Sequence, residues 1–309
     1  MINFRYHLVS LTAVFLALTV GLILGTAALN GPAIEAMQSN GQALRDSNDQ
    51  LRAEIKELEE QLGDDQAFAA EIAPSYLAER LTDKSILVIA LPGVETEAVD
   101  SAIEMLGYAG ATVAGRMAVL DEFFDPANGD KLVDLVDTTT PATVQTPVTY
   151  DGVAAMSYVL AAVATGTTEG EPVEIVEGDI TKVTTSLNEL SMLTVETDPS
   201  GVADGVLILT GPGSTDSDAE DRNTGMVAFT NAFAADAPTV YAATTSTGDG
   251  NPIDTIRADE AETVATVDHV STTQGQIAAV IALADFVNDG TVDHLGIGEG
   301  ASGLLPDAA

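Results

Sequence analysis

The sequence predicts an α/β protein: an N-terminal transmembrane helix, a coiled-coil stalk, then an open, mostly parallel α/β sheet domain. Three observations carry that prediction. Residues 8–29 hold no charged side chain, residues 34–62 repeat apolar positions at alternating steps of three and four, and beyond Lys84 apolar runs bounded by Gly, Pro and Asp alternate with helical stretches. Strands joined by crossover helices give parallel sheets.

The anchor comes first. Leu8 to Leu29 reads LVSLTAVFLALTVGLILGTAAL, and 22 residues at about 1.5 Å each span roughly 33 Å, enough for a hydrocarbon core about 30 Å thick. A cleaved secretory signal would share the positive start (Met1, Arg5) and the small residues Thr26, Ala27 and Ala28. Signal cores are shorter, about 7–15 residues, so the reading is a retained anchor. Arg5 precedes the span and Glu35 is the first charge after it, which puts the N-terminus in the cytoplasm and the remainder outside. Ala13, Ala17, Gly21 and Gly25 recur every four residues, a spacing at which membrane helices can pair closely, although Gly and Ala are also simply common in such helices.

Asn30-Gly31-Pro32 reads as a turn with Pro early in a new helix. There follow Ile34, Gly41, Asn48, Ile55 and Leu62 at heptad a positions and Met37, Leu44, Leu51 and Leu58 at d, the pattern of a coiled coil. Asn at an a position trades stability for register and favours a parallel pair, so a parallel homodimer is expected. A single amphipathic helix packed on the domain is the competing reading. Ala69, Ile72 and Tyr76 keep the register, but Asp65 interrupts it and Pro74 should bend or end the helix. An unbroken helix would set Gly25 about 180° from Ile34 at about 100° per residue, so pairing through both stripes needs a break between them.

In the remainder, Ser85 to Leu91 is a buried-strand run, a helix carries Val99, Ile103 and Leu106, and Thr112 to Val119 is a second strand. Asp125 to Asp151 reads mainly as loop, Gly152 to Ala164 as helix, 165–174 as polar linker and Ile175 to Leu190 as helix. Further strands are expected at 205–209, 239–243 and 263–267, with helices at 223–235, 253–258 and 274–286. The expected boundaries are residues 1–29 for the anchor, 30–81 for the stalk and 82–309 for an extracytoplasmic α/β domain.

Composition narrows the function classes. The 309 residues are 46% apolar, enough for a real core, and carry a formal charge of −37, which argues against phosphate-mediated nucleic-acid binding. From Lys84 onward 36 acidic residues face 6 basic ones, a balance expected of a salt-adapted organism, in which most carboxylates serve solvation. Cysteine is absent, which removes disulfides, thiolate metal sites and thiol nucleophiles.

The motifs are sparse. Pro92-Gly93 and Gly211-Pro212-Gly213 follow strands but spell neither nucleotide fingerprint, and no Lys accompanies them; they read as turns. Asp216, Asp218 and Glu220 have a calcium-loop spacing, yet Asp221 and Val227 stand where an EF-hand needs Gly and Glu. His7 lies at the membrane start, His269 beside a strand is a candidate base or a structural histidine, and His294 completes the set. No catalytic residue, cofactor site or metal-ligand set is assigned. Met105, Met117, Met156, Met192 and Met226 stand singly, as core filler rather than the clustered soft ligands copper favours.

The opening MINFRYHLVSLTAVFLALTVGLILGTAALNGP, the coiled coil after it, the Leu-Gly-Tyr-Ala-Gly-Ala run at 106–111 and the ending His294-Leu295-Gly296-Ile297-Gly298 to Leu305-Pro306 resemble the actinobacterial copper transporter family typified by mycobacterial copper transport protein B. The resemblance covers nearly the whole chain. It implies a cell-envelope protein described as a copper outer-membrane channel that keeps copper from accumulating. The residues agree with the envelope but offer one apolar span and no pore wall. Copper is therefore implied by the resemblance alone. A dimeric scaffold that docks an envelope or cell-separation partner is the alternative.

Overall fold

The computed structural model describes residues 4–146, 151–248, 250–259 and 262–306; the side chains of 28–34 and 36, Ile34 of the heptad pattern among them, lie outside that description. The chain forms two units, Met1–Asp65 and Gln66–Ala309.

The first unit is helical, part of α1 (Phe4–Leu77). Phe4–Ala27 has a mean hydropathy of 2.4 and none of it is buried, as a lipid-facing helix requires. The turn expected at Asn30-Gly31-Pro32 does not form, because the backbone stays helical through these residues. One proline costs a helix about 3 kcal/mol, and here long runs of helix-forming residues flank it on both sides. Without a break, the small-residue stripe of the anchor and the heptad positions after it occupy different faces. Met37, Leu44, Leu51, Ile55, Leu58 and Leu62 are all at least half exposed.

The second unit is a sheet with helices on both faces. Its order is β5-β2-β1-β6-β7-β8-β9, made of β1 (Ser85–Ala90), β2 (Thr112–Val119), β5 (Leu193–Thr197), β6 (Gly205–Thr210), β7 (Thr239–Ala243), β8 (Val264–Val267) and β9 (His294–Leu295). All pairs are parallel except β2 with β5. The side-chain alternation of the strands splits the core. Ile86, Val88, Leu207, Leu209, Val240 and Ala242 face one helical layer, formed by the end of α1, α2 (Thr96–Tyr108) and α8 (Thr273–Asp289). Leu87, Ile89, Val206, Ile208 and Tyr241 face the other. That layer holds α3 (Gly129–Thr139), α4 (Gly152–Thr165), α5 (Glu177–Glu189), α6 (Ala219–Asp236) and α7 (Pro252–Asp259).

The strands and helices at 85–91, 112–119, 152–164, 205–209, 239–243, 263–267 and 274–286 stand where the sequence places them. Within 125–151, read mainly as loop, 129–139 is helix α3, because Leu132 and Val136 one turn apart bury a narrow apolar stripe among acidic neighbours; 147–150 lie outside the described residues. The polar linker at 165–174 contains a small hairpin, β3 (Thr167–Thr168) with β4 (Glu171–Pro172). Helix α6 starts at Ala219, inside the acidic stretch 214–221, where Glu220 and Asp221 suit the positive end of a helix dipole. Ala69, Ala73, Leu77 and Leu81 are buried in the core of the second unit, so the head includes turns of α1 that precede residue 82.

Candidate functional site

In an open parallel sheet, ligands bind beyond the C-terminal ends of the strands, at the point where strand order reverses. Here that point lies between β1 and β6, the two strands from which the chain proceeds in opposite directions. The loops leaving them are Pro92-Gly93 and Gly211-Pro212-Gly213, and they meet. Gly211 N donates to Pro92 O at 3.2 Å, Leu91 N donates to Leu209 O at 2.7 Å, and a Cβ on Gly211 would sit 2.2 Å from Gly93 C. The glycines therefore allow two backbones to touch, which fits the turn reading. Beside them opens a polar cleft of about 540 Å³ lined by Glu95, Glu97, Ser101, Thr244, Ser271 and Thr273.

A denser polar cluster forms at the same edge where β8 ends. Asp268 directly follows the strand and its side chain is fully buried. It accepts from Arg257 Nη2 at 3.1 Å, Ile297 N at 2.9 Å, Gly298 N at 3.0 Å and His269 Nδ1 at 2.5 Å. Burial opposes its charge, yet the donors from Ile297, Gly298, His269 and Arg257 together hold the carboxyl below its ordinary range. Arg257, from α7, also donates to Thr266 Oγ1 at 2.9 Å, Glu299 O at 2.9 Å and Leu295 O at 3.0 Å. A buried Asp with a buried Arg thus clamps residues 295–299 against the sheet. The close approach is tight, since a Cβ at Gly296 (φ +133°) would lie 2.2 Å from the Asp268 carboxylate.

His269 sits in the left-handed region at φ 65°, with its imidazole 39% exposed. An Asp that fixes a His ring is the orienting half of an acid–base pair. The neighbouring hydroxyl does not complete a nucleophilic triad, because Thr272 Oγ1 donates to His269 O and accepts from Gly275 N as the cap of α8. Beside His269 lies an apolar groove of about 340 Å³, walled by Ile72, Tyr76, Ile277, Ala278, Leu304 and Leu305.

The other residues singled out in the sequence stand apart. Asp218 pairs with Arg222 at 2.7 Å and Asp216 O accepts from Ala219 N, so the acidic loop opens helix α6. His294 Nδ1 meets Thr266 Oγ1 at 2.9 Å. Met105, Met117, Met156, Met192 and Met226 are buried at 5% exposure or less, apart from any histidine cluster. Among the described residues no group of three His, Asp or Glu is arranged to hold a metal ion.

Sequence reasoning passed over Arg257, Asp268 and Asp236. The signal for Asp268 was present, a charged residue at the C-terminal end of a parallel strand. Asp236, the last residue of α6, is 5% exposed and is pushed up to about 7 chiefly by burial, with Glu169 adding repulsion and the Glu169 N–H opposing the shift. It accepts that N–H at 2.8 Å, and its other oxygen is buried without a partner.

Comparison with known proteins gives one family. The model described as "Copper transport outer membrane protein, MctB" matches residues 1–306. Copper transporter MctB of Mycobacterium tuberculosis is 27% identical over 310 residues, covering 97% of this chain and 98% of that protein. The Mycobacterium leprae protein of the same name is 26% identical over 315 residues, covering 98% and 99%.

Proposed function

Because the chain belongs to the MctB family of copper transport outer membrane proteins, we propose that it is a non-enzymatic, membrane-anchored envelope protein that serves copper transport and homeostasis. Its N-terminus lies in the cytoplasm and its α/β head outside. The match across residues 1–306 carries this reading, and the apolar helix at Phe4–Ala27 supports the anchor. The reading makes the head an accessory to copper movement rather than a pore, because its strands lie in an open sheet covered by helices on both faces. Copper is cargo here, and no ligand set is assigned to it. The test compares a deletion strain with its parent and a complemented strain. We expect several-fold more cell-associated copper and growth arrest at lower external copper in the deletion; identical values in all three strains overturn the reading.

A second reading rests on the exposed heptad side chains of the first unit. Met37, Leu44, Leu51, Ile55, Leu58 and Leu62 leave apolar surface open to water, which a parallel partner helix would cover. The protein is then a homodimer whose stalk presents two heads to an envelope or cell-separation partner. Light scattering on a 30–309 fragment, with bound metal measured on the same sample, tests the pairing. A mass of two chains supports it, and a mass of one chain removes it.

A further inference from the structure

The groove beside His269 has mostly apolar walls, and one of them is the end of α1. In α1, Ala69, Ala73 and Leu77 are 4%, 0% and 0% exposed and enter the head's core, whereas Phe68, Ile72 and Tyr76 on the same turns are 65%, 40% and 42% exposed. Across the groove stand Leu304 and Leu305, 64% and 44% exposed. Their segment is held by Arg257 and Asp268 through the carbonyls of Leu295 and Glu299 and the N–H groups of Ile297 and Gly298. The groove is therefore preformed.

We propose that this face, built on Ile72, Tyr76, Leu304 and Leu305, packs against a second copy of the same chain, so that dimer contact extends into the α/β head. The proposal rests on the dimer reading above and deepens it. Two observations select the occupant. Counting heptads from Ile34 and past the interruption at Asp65, Ile72 falls on a d position and Tyr76 on an a position. Two chains anchored with the same topology in one bilayer start their stalks at the same depth, which favours a parallel pair, and Ile72 and Tyr76 continue the repeat of that stalk in sequence. Charge gives the second reason. Two heads with 36 acidic residues each beyond Lys84 repel one another except where surface carboxylates are missing, and among the described residues the acidic one lining this groove is Asp268, buried and paired with Arg257.

The chain contains no cysteine, so single thiols report cleanly. Leu51→Cys, Ile72→Cys and Thr185→Cys are each introduced into the full-length protein in native membranes and oxidised with diamide, and linked dimers are read on non-reducing gels. We expect most of the Leu51→Cys and Ile72→Cys protein to link, and at least tenfold less of Thr185→Cys, which lies on the exposed face of α5. Leu305→Cys serves as a second groove position should Ile72→Cys lower the amount of folded protein. Linking at Leu51 with groove positions no better than Thr185 overturns the proposal and leaves the stalk dimer standing. Linking in the groove but not at Leu51 supports head pairing and removes the stalk reading. No linking above Thr185 at any position removes both.

Discussion

Asp268 and Asp236 are both buried carboxylates, and their surroundings drive them in opposite directions. Asp268 gathers four donors, including Arg257, and stays charged; its contribution to stability is present above the ordinary carboxylate range and is lost as pH falls through its lowered value. Asp268→Asn would leave the Arg257 charge buried and unpaired. We expect a loss of about 3–5 kcal/mol in urea unfolding at pH 7, together with faster amide exchange at Ile297 and Gly298. Asp236 accepts one N–H and carries an orphaned oxygen, so the folded protein holds a proton there up to about 7 that the unfolded chain releases near pH 4. Across that window the folded state binds more protons, and stability falls as pH rises. Tyr158 and Glu169 face the same spot. Asp236→Asn should raise the melting temperature at pH 8 and flatten its dependence between pH 4 and pH 7; an unchanged slope would place the titrating group elsewhere.

At the scale of elements, the contact between the β1 and β6 loops depends on two missing side chains. Gly211→Ala should destabilise the head by about 1–3 kcal/mol through overpacking, since its Cβ would meet Gly93 backbone atoms at 2.2–2.5 Å. Gly107→Ala, with nothing within 4 Å in helix α2, should be neutral or stabilising by less than about 1 kcal/mol; chemical denaturation of both variants checks the pair. Elements with an unbroken apolar run or a wide apolar stripe, such as β1, β6 and α8, could be read from sequence because burial on both sides leaves no room for polar residues. Helix α3 escaped notice because two buried residues among acidic ones make a weak period, and β5 because an edge strand alternates over only five residues. The continuation of α1 through Pro32 is not legible locally, because Asn-Gly-Pro is breaker chemistry and the length of helix around it decides the outcome. Arg257 and Asp268 hold residues 295–299 from 29 to 42 positions away, and only the topology brings them together.

For the whole molecule the controlling quantity is charge. At −37 over 309 residues, self-repulsion opposes compaction in dilute buffer, whereas at 1 M salt the screening length shortens to about 3 Å. The melting temperature of the head should therefore climb by several degrees between tens of millimolar and molar sodium chloride; a flat profile would show that the acidic surface bears no relation to salt. The arginines of the head are already engaged, Arg80 with Asp285, Arg116 with Asp100 and Glu196, Arg222 with Asp125 and Asp218, and Arg257 with Asp268. Few positive groups remain to balance the other carboxylates, so their counter-ions must come from the medium. In dilute surroundings sodium, magnesium and copper alike crowd into the water layer around the head. Such ions are held loosely, exchange freely and are dispersed by any excess of a competing electrolyte.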